Sequence, residues 1–397
     1  MLRTDGVLAR RNYVGLLGGL LGLLSLSLPW LSIRATRLAA GDGAGIIEAA
    51  GAPLPVVMLV LWGVALVSSM KPNAGRAAFL IGAVGAAQFA LSLFVAGTGA
   101  TLLLAPLPAV ARASLGAGVW VSLAAAYLLL HTAHSGMQGH PHLWSLLALS
   151  AALPVLGMAA SGLLGSLSLV KEFSGNEQRF FEETGRHVAL SLGSVVIGAC
   201  IAIPLGIAAA RSRRAERPIF LISSTVETIP SLALFGLIIA PLSALSHAYP
   251  VLREIGIRGV GATPALIALV LYSLLPIVHN TYAGLKQVSP AALDAGKGMG
   301  MSRRQLSWKV EYPLALPLIG EGVRTATVQS IGNTAVAALI GAGGLGHFIF
   351  QGLGQAAPDL ILLGALPVIA LALTADLLMR GLIRIMTPRG LRLEAGQ

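Results

Sequence analysis

Residues 289–313 read SPAALDAGKGMGMSRRQLSWKVEYP. This charged, glycine-punctuated stretch stands between two long apolar runs, 264–285 and 314–337. Its signals predict two short helices. Ser289 is placed to N-cap a helix with Pro290 at its first position, where a missing N–H is harmless and φ is already helical. Gly298 and Gly300 end that helix. Ser302 caps a second, with Gln305 three residues on completing a capping box, and Pro313 marks a break before the next apolar run. A helix, a glycine elbow and a second helix between two membrane-length runs describe a docking element held at a membrane surface.

Composition agrees with that setting. The 397 residues are 55% hydrophobic and only 11% charged, with mean hydropathy +0.81, whereas a soluble domain carries roughly 25% charged residues. Several runs exceed the ~18–20 apolar residues that span a bilayer. The expected fold is an all-α polytopic membrane protein. The net charge of +11 does not imply nucleic acid, because the basic residues cluster between apolar runs as juxtamembrane anchors do and no basic-aromatic interleaving occurs. The single cysteine, Cys200, lies in an apolar run, so neither a disulfide framework nor a thiolate metal centre is expected.

Ten spans are predicted, near 14–33, 54–70, 77–96, 115–130, 143–163, 188–210, 219–242, 264–285, 314–337 and 360–382. The run 101–110, interrupted by Pro106 and Pro108, is too short and reads as interfacial or re-entrant. Placing both termini in the cytoplasm puts 18 Lys and Arg inside against 8 outside, as the positive-inside rule requires, and puts 289–313 in the cytoplasm. The first run is too long for the h-region of a cleaved signal peptide, despite Arg10, Arg11 and the small residues of Leu38-Ala39-Ala40. Gly18 and Gly22 give it a small-xxx-small packing face. Residues 166–186 read as an amphipathic connector on the outer surface. They separate an N-terminal extension of about five helices, 1–165, from a core at 187–386, followed by a cytoplasmic tail, 387–397.

The two halves differ in intramembrane polarity. Ser224, Glu227, Thr228 and Ser231 fall at i, i+3, i+4 and i+7 on one helix face, with Pro230 among them to open the backbone ladder. Glu321, Thr325, Gln329 and Asn333 recur every four residues, beside Arg324. Asn280 and Tyr282 close the eighth run, and Asp376 lies in the tenth. A charge at the bilayer centre costs at least ~2.5–3.5 kcal/mol on insertion scales, so such residues face an interior or a water-filled path. Two readings stay open: a pathway or gate lining, or polar ties between helices, with Glu321 and Arg324 neutralising one another. For any single residue of the set, Asp376 included, the tie is the better reading. The loop with His131, His134, His140 and His142 reads as polar and mostly neutral in preference to a metal or pH-sensing patch. Gly341–Gly346 matches G-x-G-x-x-G but follows a transmembrane run where a strand is required, so it reads as a tight turn. No Walker A sequence occurs, since Gly296-Lys297 precedes Gly298 in place of Ser or Thr. No cofactor is expected on this chain, and any ATP with its Mg²⁺ belongs to a partner.

Residues 289–313 resemble the EAA loop of ABC-importer permeases: Glu-Ala-Ala, three residues, Gly, nine residues, Ile, one residue, Leu-Pro. Asp294-Ala295-Gly296 stands at the Glu-Ala-Ala positions, Gly300 at the Gly, and Val310, Tyr312 and Pro313 at the Ile, Leu and Pro. The segments 228–234, 271–276, 280–282, 324–329 and 340–346 look like the glycine betaine/carnitine/choline branch. The N-terminal extension is similar to YehY-type osmoprotectant permeases. The resemblance implies a type I importer core with no catalytic residue of its own. It would pair with a second permease (a copy or a paralogue), be driven by cytoplasmic ATPases gripping the EAA helices, and be supplied by an external solute-binding protein. It implies the bacterial inner membrane and an osmoprotectant substrate. Rival readings are a permease for another small solute such as an amino acid, an ion-coupled secondary transporter, which would need inverted repeats, and a membrane scaffold or sensor.

Overall fold

The computed structural model describes residues 12–388 except Leu38, Pro72, Ala74 and Ile255. Arg3, Arg10, Arg11, Arg389 and Arg392, which entered the charge tally, lie outside the described residues, as does the tail beyond residue 388. The chain divides between Gly175 and Asn176 into two compact units. Eight of the ten expected apolar runs each fall on a single helix, and the runs 14–33 and 219–242 do not. Seven described helices are long and apolar enough to cross a membrane, and Tyr13–Ser25 and Pro53–Ser69 are shorter apolar helices. Tyr312–Ala337 has the length, 26 residues, and carries the Glu321 stripe.

The N-terminal unit runs α1 (Tyr13–Ser25), β1 (Leu31–Arg34), β2 (Asp42–Ala44), α2 (Ile46–Ala50), α3 (Pro53–Ser69), α4 (Gly75–Leu104), β3 (Arg112–Leu115), α5 (Ala117–Gly136), α6 (Pro141–Ala160) and α7 (Ser168–Gly175). The expectation of an all-α chain needs one correction. A three-stranded antiparallel sheet of order β2-β1-β3 is present, with Leu31 opposite both Ala44 and Leu115. The first apolar run therefore stops being helical at Ser25, well before Ile33. Pro29 cannot continue the helical ladder, and the buried Trp30 donates its indole N–H to the Ser25 carbonyl at 2.9 Å, closing the helix end. The segment 101–110 is likewise not a separate interfacial piece. Its first four residues finish α4, and the prolines lie in the turn that leads to β3.

Close helix approach holds this unit together. A Cβ on Gly22 would stand 2.1 Å from the Trp62 ring, and one on Gly18 would stand 3.1 Å from Leu129. The small-residue face of α1 thus meets α3 through one glycine and α5 through the other. Buried polar pairs add ties: Gln88 donates to the Met58 carbonyl at 2.8 Å, and the Ser92 and Ser122 hydroxyls meet at 2.7 Å. His140 and His142 meet edge to face with ring centroids 5.9 Å apart, and the other two histidines meet aromatic rings. His134 lies 4.6 Å from the Trp144 ring and His131 stacks on Tyr127. Among the described residues no three His, Cys, Asp or Glu side chains converge as a metal set.

The second unit runs α8 (Glu177–Arg211), α9 (Arg213–Thr228), α10 (Ser231–Ala248), α11 (Val251–Glu254), α12 (Ala262–Lys286), α13 (Pro290–Gly298), α14 (Arg303–Leu306), α15 (Tyr312–Ala337), α16 (Gly346–Gly354) and α17 (Pro358–Met386). The stretch 166–186 is not one surface connector. α7 ends at Gly175, and residues 177–186 form the first turns of a 35-residue helix. The expected span 219–242 is two helices, broken at Ile229 and Pro230, whose ψ values are 126° and 140°. Proline removes a ladder N–H and drives the residue before it out of the α region. The Tyr272 hydroxyl donates to the Ile229 carbonyl that the break frees, at 2.5 Å.

α12 is the central element of this unit. α8 and α15 approach it closely enough that a Cβ on Gly206 would lie 2.6 Å from Thr281, and one on Gly322 would lie 2.8 Å from the Pro276 carbonyl. Phe235, Leu269, Ile277 and Phe348 are fully buried in this unit.

Candidate functional site

The insert after α12 folds largely as its punctuation predicts. α13 begins with Pro290 in its first turn, although the Ser289 side chain makes no capping bond and only its carbonyl joins the helix. The C-terminus is a Schellman turn. Met301 N–H bonds the Gly296 carbonyl, Gly300 N–H bonds the Lys297 carbonyl, and Gly300 takes φ +77°, a left-handed geometry that costs glycine nothing. The Ser302–Gln305 capping box is formed in both directions, at 2.8 and 3.3 Å.

Pro313 does not break the chain. A π-helical turn at Ser307–Glu311, closed by Tyr312 N–H on the Ser307 carbonyl, joins α14 to α15 without interruption. The wider i→i−5 register lies immediately before the proline, where an N–H is missing in any case.

Asp294 is exposed and, among the described residues, pairs only with Lys297, at 2.9 Å. It lies in the middle of α13, past the first turn, so the helix dipole does little for it. An exposed i,i+3 pair adds little stability, so Asp294 and Ala295 are presented outward and are not needed to hold the helix. Gly296 is buried beneath them: a Cβ there would sit 2.6 Å from Leu306 Cδ1 and 3.7 Å from Val310. Gly296, Leu306 and Val310 therefore form the seam by which α13 rests on the turn leading into α15.

The polar stripes separate into three groups. Glu227 and Thr228 are exposed on α9 with Ser224 half-buried, and Pro230 is exposed at the break; the half-buried Ser231 begins α10, so the four do not share one helix face as expected. The Gln329 amide reaches Glu227 from α15 at 3.5 Å. Thr325 is exposed on the same helix and bonds its own backbone, and Asn333 is half-buried. Exposed polar side chains on helices at membrane depth must be covered by protein or water. In the second group Arg324 donates to Glu321 at 2.7 Å and to Asp376 of α17, and Arg380 donates to the other Asp376 oxygen at 2.7 Å. This alternating chain of charges ties α15 to α17. The third group is also a tie: Tyr282 donates to Glu216 of α9 at 2.9 Å, while Asn280 bonds the Pro276 carbonyl of its own helix.

One feature lay outside the sequence reading. The buried Glu183 accepts the Gly344 N–H at 2.6 Å, with Arg186 at 3.5 Å and Arg179 at 4.0 Å. His187, one turn on, accepts the Leu345 N–H on Nδ1 at 3.3 Å, so its Nε2 carries the proton given to the Ile331 carbonyl at 3.0 Å. The glycine turn at 341–346 is clasped by these two side chains. Gly343 and Gly344 have φ +78° and +86°, and a Cβ on Gly343 would strike the Glu183 carboxylate at 2.7 Å. The only hint was Glu183 and His187 at i,i+4 spacing with a glycine-rich turn elsewhere in the chain.

Comparison with known proteins fits this arrangement. Residues 202–390 match the family described as binding-protein-dependent transport system inner membrane component. Residues 10–170 match the N-terminal domain of the ABC transporter permease YehY. The chain is 40% identical over 210 residues to the glycine betaine/carnitine/choline transport system permease protein OpuCB of Bacillus subtilis (strain 168), covering 53% of this chain and 89% of that one. It is 41% identical over 206 residues to the osmoprotectant import permease protein OsmW of Salmonella typhimurium, covering 52% and 89%. It is 38% identical over 225 residues to the carnitine transport permease protein OpuCB of Listeria monocytogenes, covering 57% and 96%. The chain belongs to the binding-protein-dependent transport permeases, the multi-pass membrane subunits of ABC importers, and is not itself an enzyme.

Proposed function

We propose that this chain carries osmoprotectants, glycine betaine or a related quaternary ammonium compound, inward across the bacterial inner membrane as the permease of an ATP-driven importer. The observation that carries the reading is α13. It is a capped helix that presents Asp294 and Ala295 outward while Gly296 locks it to the turn leading into α15. Such an element transmits force as a lever. Cytoplasmic ATPases binding ATP and Mg²⁺ would grip α13, and their closure would move α15. Differential binding of ATP to the two states would supply the driving free energy. The termini are cytoplasmic in this reading, as the charge asymmetry supports.

The exposed Glu227 and Thr228, with the half-buried Ser224 and Gln329 beside them, support a polar path completed by a second permease subunit. The Glu321–Arg324–Asp376 chain keeps α15 and α17 moving together. A quaternary ammonium head is usually held in an aromatic cage, and that cage is assigned to an external binding protein. The substrate class rests on the named roles of the relatives.

The test is reconstitution in proteoliposomes with the ATPase and binding protein. Glycine betaine uptake that requires ATP hydrolysis is expected. Uptake by this chain alone would contradict the reading.

A further inference from the structure

Beside α13, where α8 ends at Arg211 and α15 begins at Tyr312, lies a cavity of about 510 Å³ whose lining includes Arg211, Lys297, Arg303, Arg304, Trp308 and Tyr312. Among the described residues its only acidic lining residue is Glu311. That carboxylate is already engaged, accepting from Ser307 at 2.8 Å and pairing with Arg211 at 3.5 Å. Arg211 is fixed from two further sides, donating to Ser307 at 3.0 Å and to the Tyr312 hydroxyl at 2.9 Å. Lys297 has Asp294. Among the described residues no carboxylate lies within ion-pairing distance of Arg303 or Arg304, and both are exposed. The cavity thus keeps two guanidiniums unneutralised.

Its depth is fixed by the helices that frame it. α8 is one of the apolar helices long enough to cross a bilayer, and it leaves the apolar region at Arg211. Trp308 is 66% exposed and packs edge-on against Tyr312 with ring centroids 5.2 Å apart. Exposed indole and phenol groups at a helix end belong to the aromatic belt at headgroup level. Guanidinium groups hold phosphate oxygens through paired N–H donors, and basic pockets among membrane helices hold anionic headgroups.

We propose that this cavity binds a phosphate group, supplied by the headgroup of an anionic phospholipid, with Arg303 and Arg304 as its principal ligands. Arg211 forms the fixed wall and Trp308 lies along the glycerol and upper acyl region. The site does not depend on what grips α13, which contributes only Lys297.

The test is native mass spectrometry of the full chain released from nanodiscs, titrated with phosphatidylglycerol against phosphatidylcholine. Wild type should retain phosphatidylglycerol selectively. Each arginine near a charged headgroup is worth about fivefold, so Arg303→Gln/Arg304→Gln should bind about thirty-fold more weakly. Arg303→Lys/Arg304→Lys should keep most of the selectivity. Arg253→Ala/Arg258→Ala, at the basic patch after α10, should not change it. Far-UV circular dichroism of each variant separates lost binding from lost fold. Unchanged phosphatidylglycerol retention in the folded Gln variant would overturn the site. Displacement of the lipid by millimolar inorganic phosphate, with equal thermal stabilisation by phosphate alone, would overturn the lipid source.

Discussion

The clasp on the glycine turn offers a quantitative check. Glu183 is 4% exposed and accepts the Gly344 N–H at 2.6 Å. Glu183→Ala deletes a charge-assisted hydrogen bond of about 1.5–3 kcal/mol and leaves a buried N–H without that partner, itself a cost of about 1–3 kcal/mol. These overlap, since both describe the loss of one bond. The arginine contacts add little, because Arg179 and Arg186 are more than half exposed and their distances are 4.0 and 3.5 Å. The expected loss for Ala is therefore about 2–3 kcal/mol. Glu183→Gln keeps an acceptor oxygen at the same reach and forfeits only the charge assistance, for about 1 kcal/mol. Equilibrium unfolding of the full-length protein in mixed micelles reads both numbers. An Ala variant within about 0.5 kcal/mol of wild type, or Ala and Gln variants that lose equally, would refute the claim that the carboxylate holds the turn through that N–H.

Three further outcomes follow from particular contacts. Gly22→Ala places a methyl 2.1 Å from the fully buried Trp62 ring and should destabilise the N-terminal unit by about 1–3 kcal/mol or more. Trp62→Leu should relieve part of that loss in the double variant, and additive losses in thermal unfolding would contradict the contact. Burial, and then Arg112, lower the pKa of Lys171, so the unfolded chain holds that proton more tightly. Its penalty is complete below the folded pKa and fades as pH rises toward the ordinary lysine value. Lys171→Met should raise the thermal midpoint at neutral pH and flatten the alkaline rise, and an unchanged pH profile would count against the assignment. Arg324→Met should lower the folded yield by leaving Glu321 without its cation and Asp376 with Arg380 alone. Arg324→Met/Glu321→Gln/Asp376→Leu should recover yield and glycine betaine uptake together. Recovery of yield without uptake would place these charges on the solute path.

Much of this architecture was legible because membrane spans and caps are local signals. The Ser302–Gln305 box, the Gly300 turn and the opening at Pro230 each depend on a few neighbouring residues, and all three form. Apart from the local π turn before Pro313, what escaped the reading depends on distant partners. Leu31–Ile33 continues an apolar run, and only pairing with residues 42–44 and 112–115 turns it into a strand. Glu183 reads as a surface charge until Gly344 is brought to it from far along the chain. Pro313 reads as a stop because the π turn that accommodates it has no sequence signature. The polar stripes were visible as stripes, but their division was not. Whether Arg324 or Gln329 answers to a tie or to an open face depends on Asp376 and Glu227, which lie on other helices.

In the proposed importer α13 transmits ATPase motion through Asp294 and its neighbours, and solute-stimulated ATP hydrolysis of the reconstituted complex carrying Asp294→Lys tests this. Because Asp294 is exposed and its pair with Lys297 is local, the variant should fold and insert normally, yet binding protein loaded with glycine betaine should no longer accelerate hydrolysis. Stimulation undiminished from wild type would show that the coupling runs elsewhere.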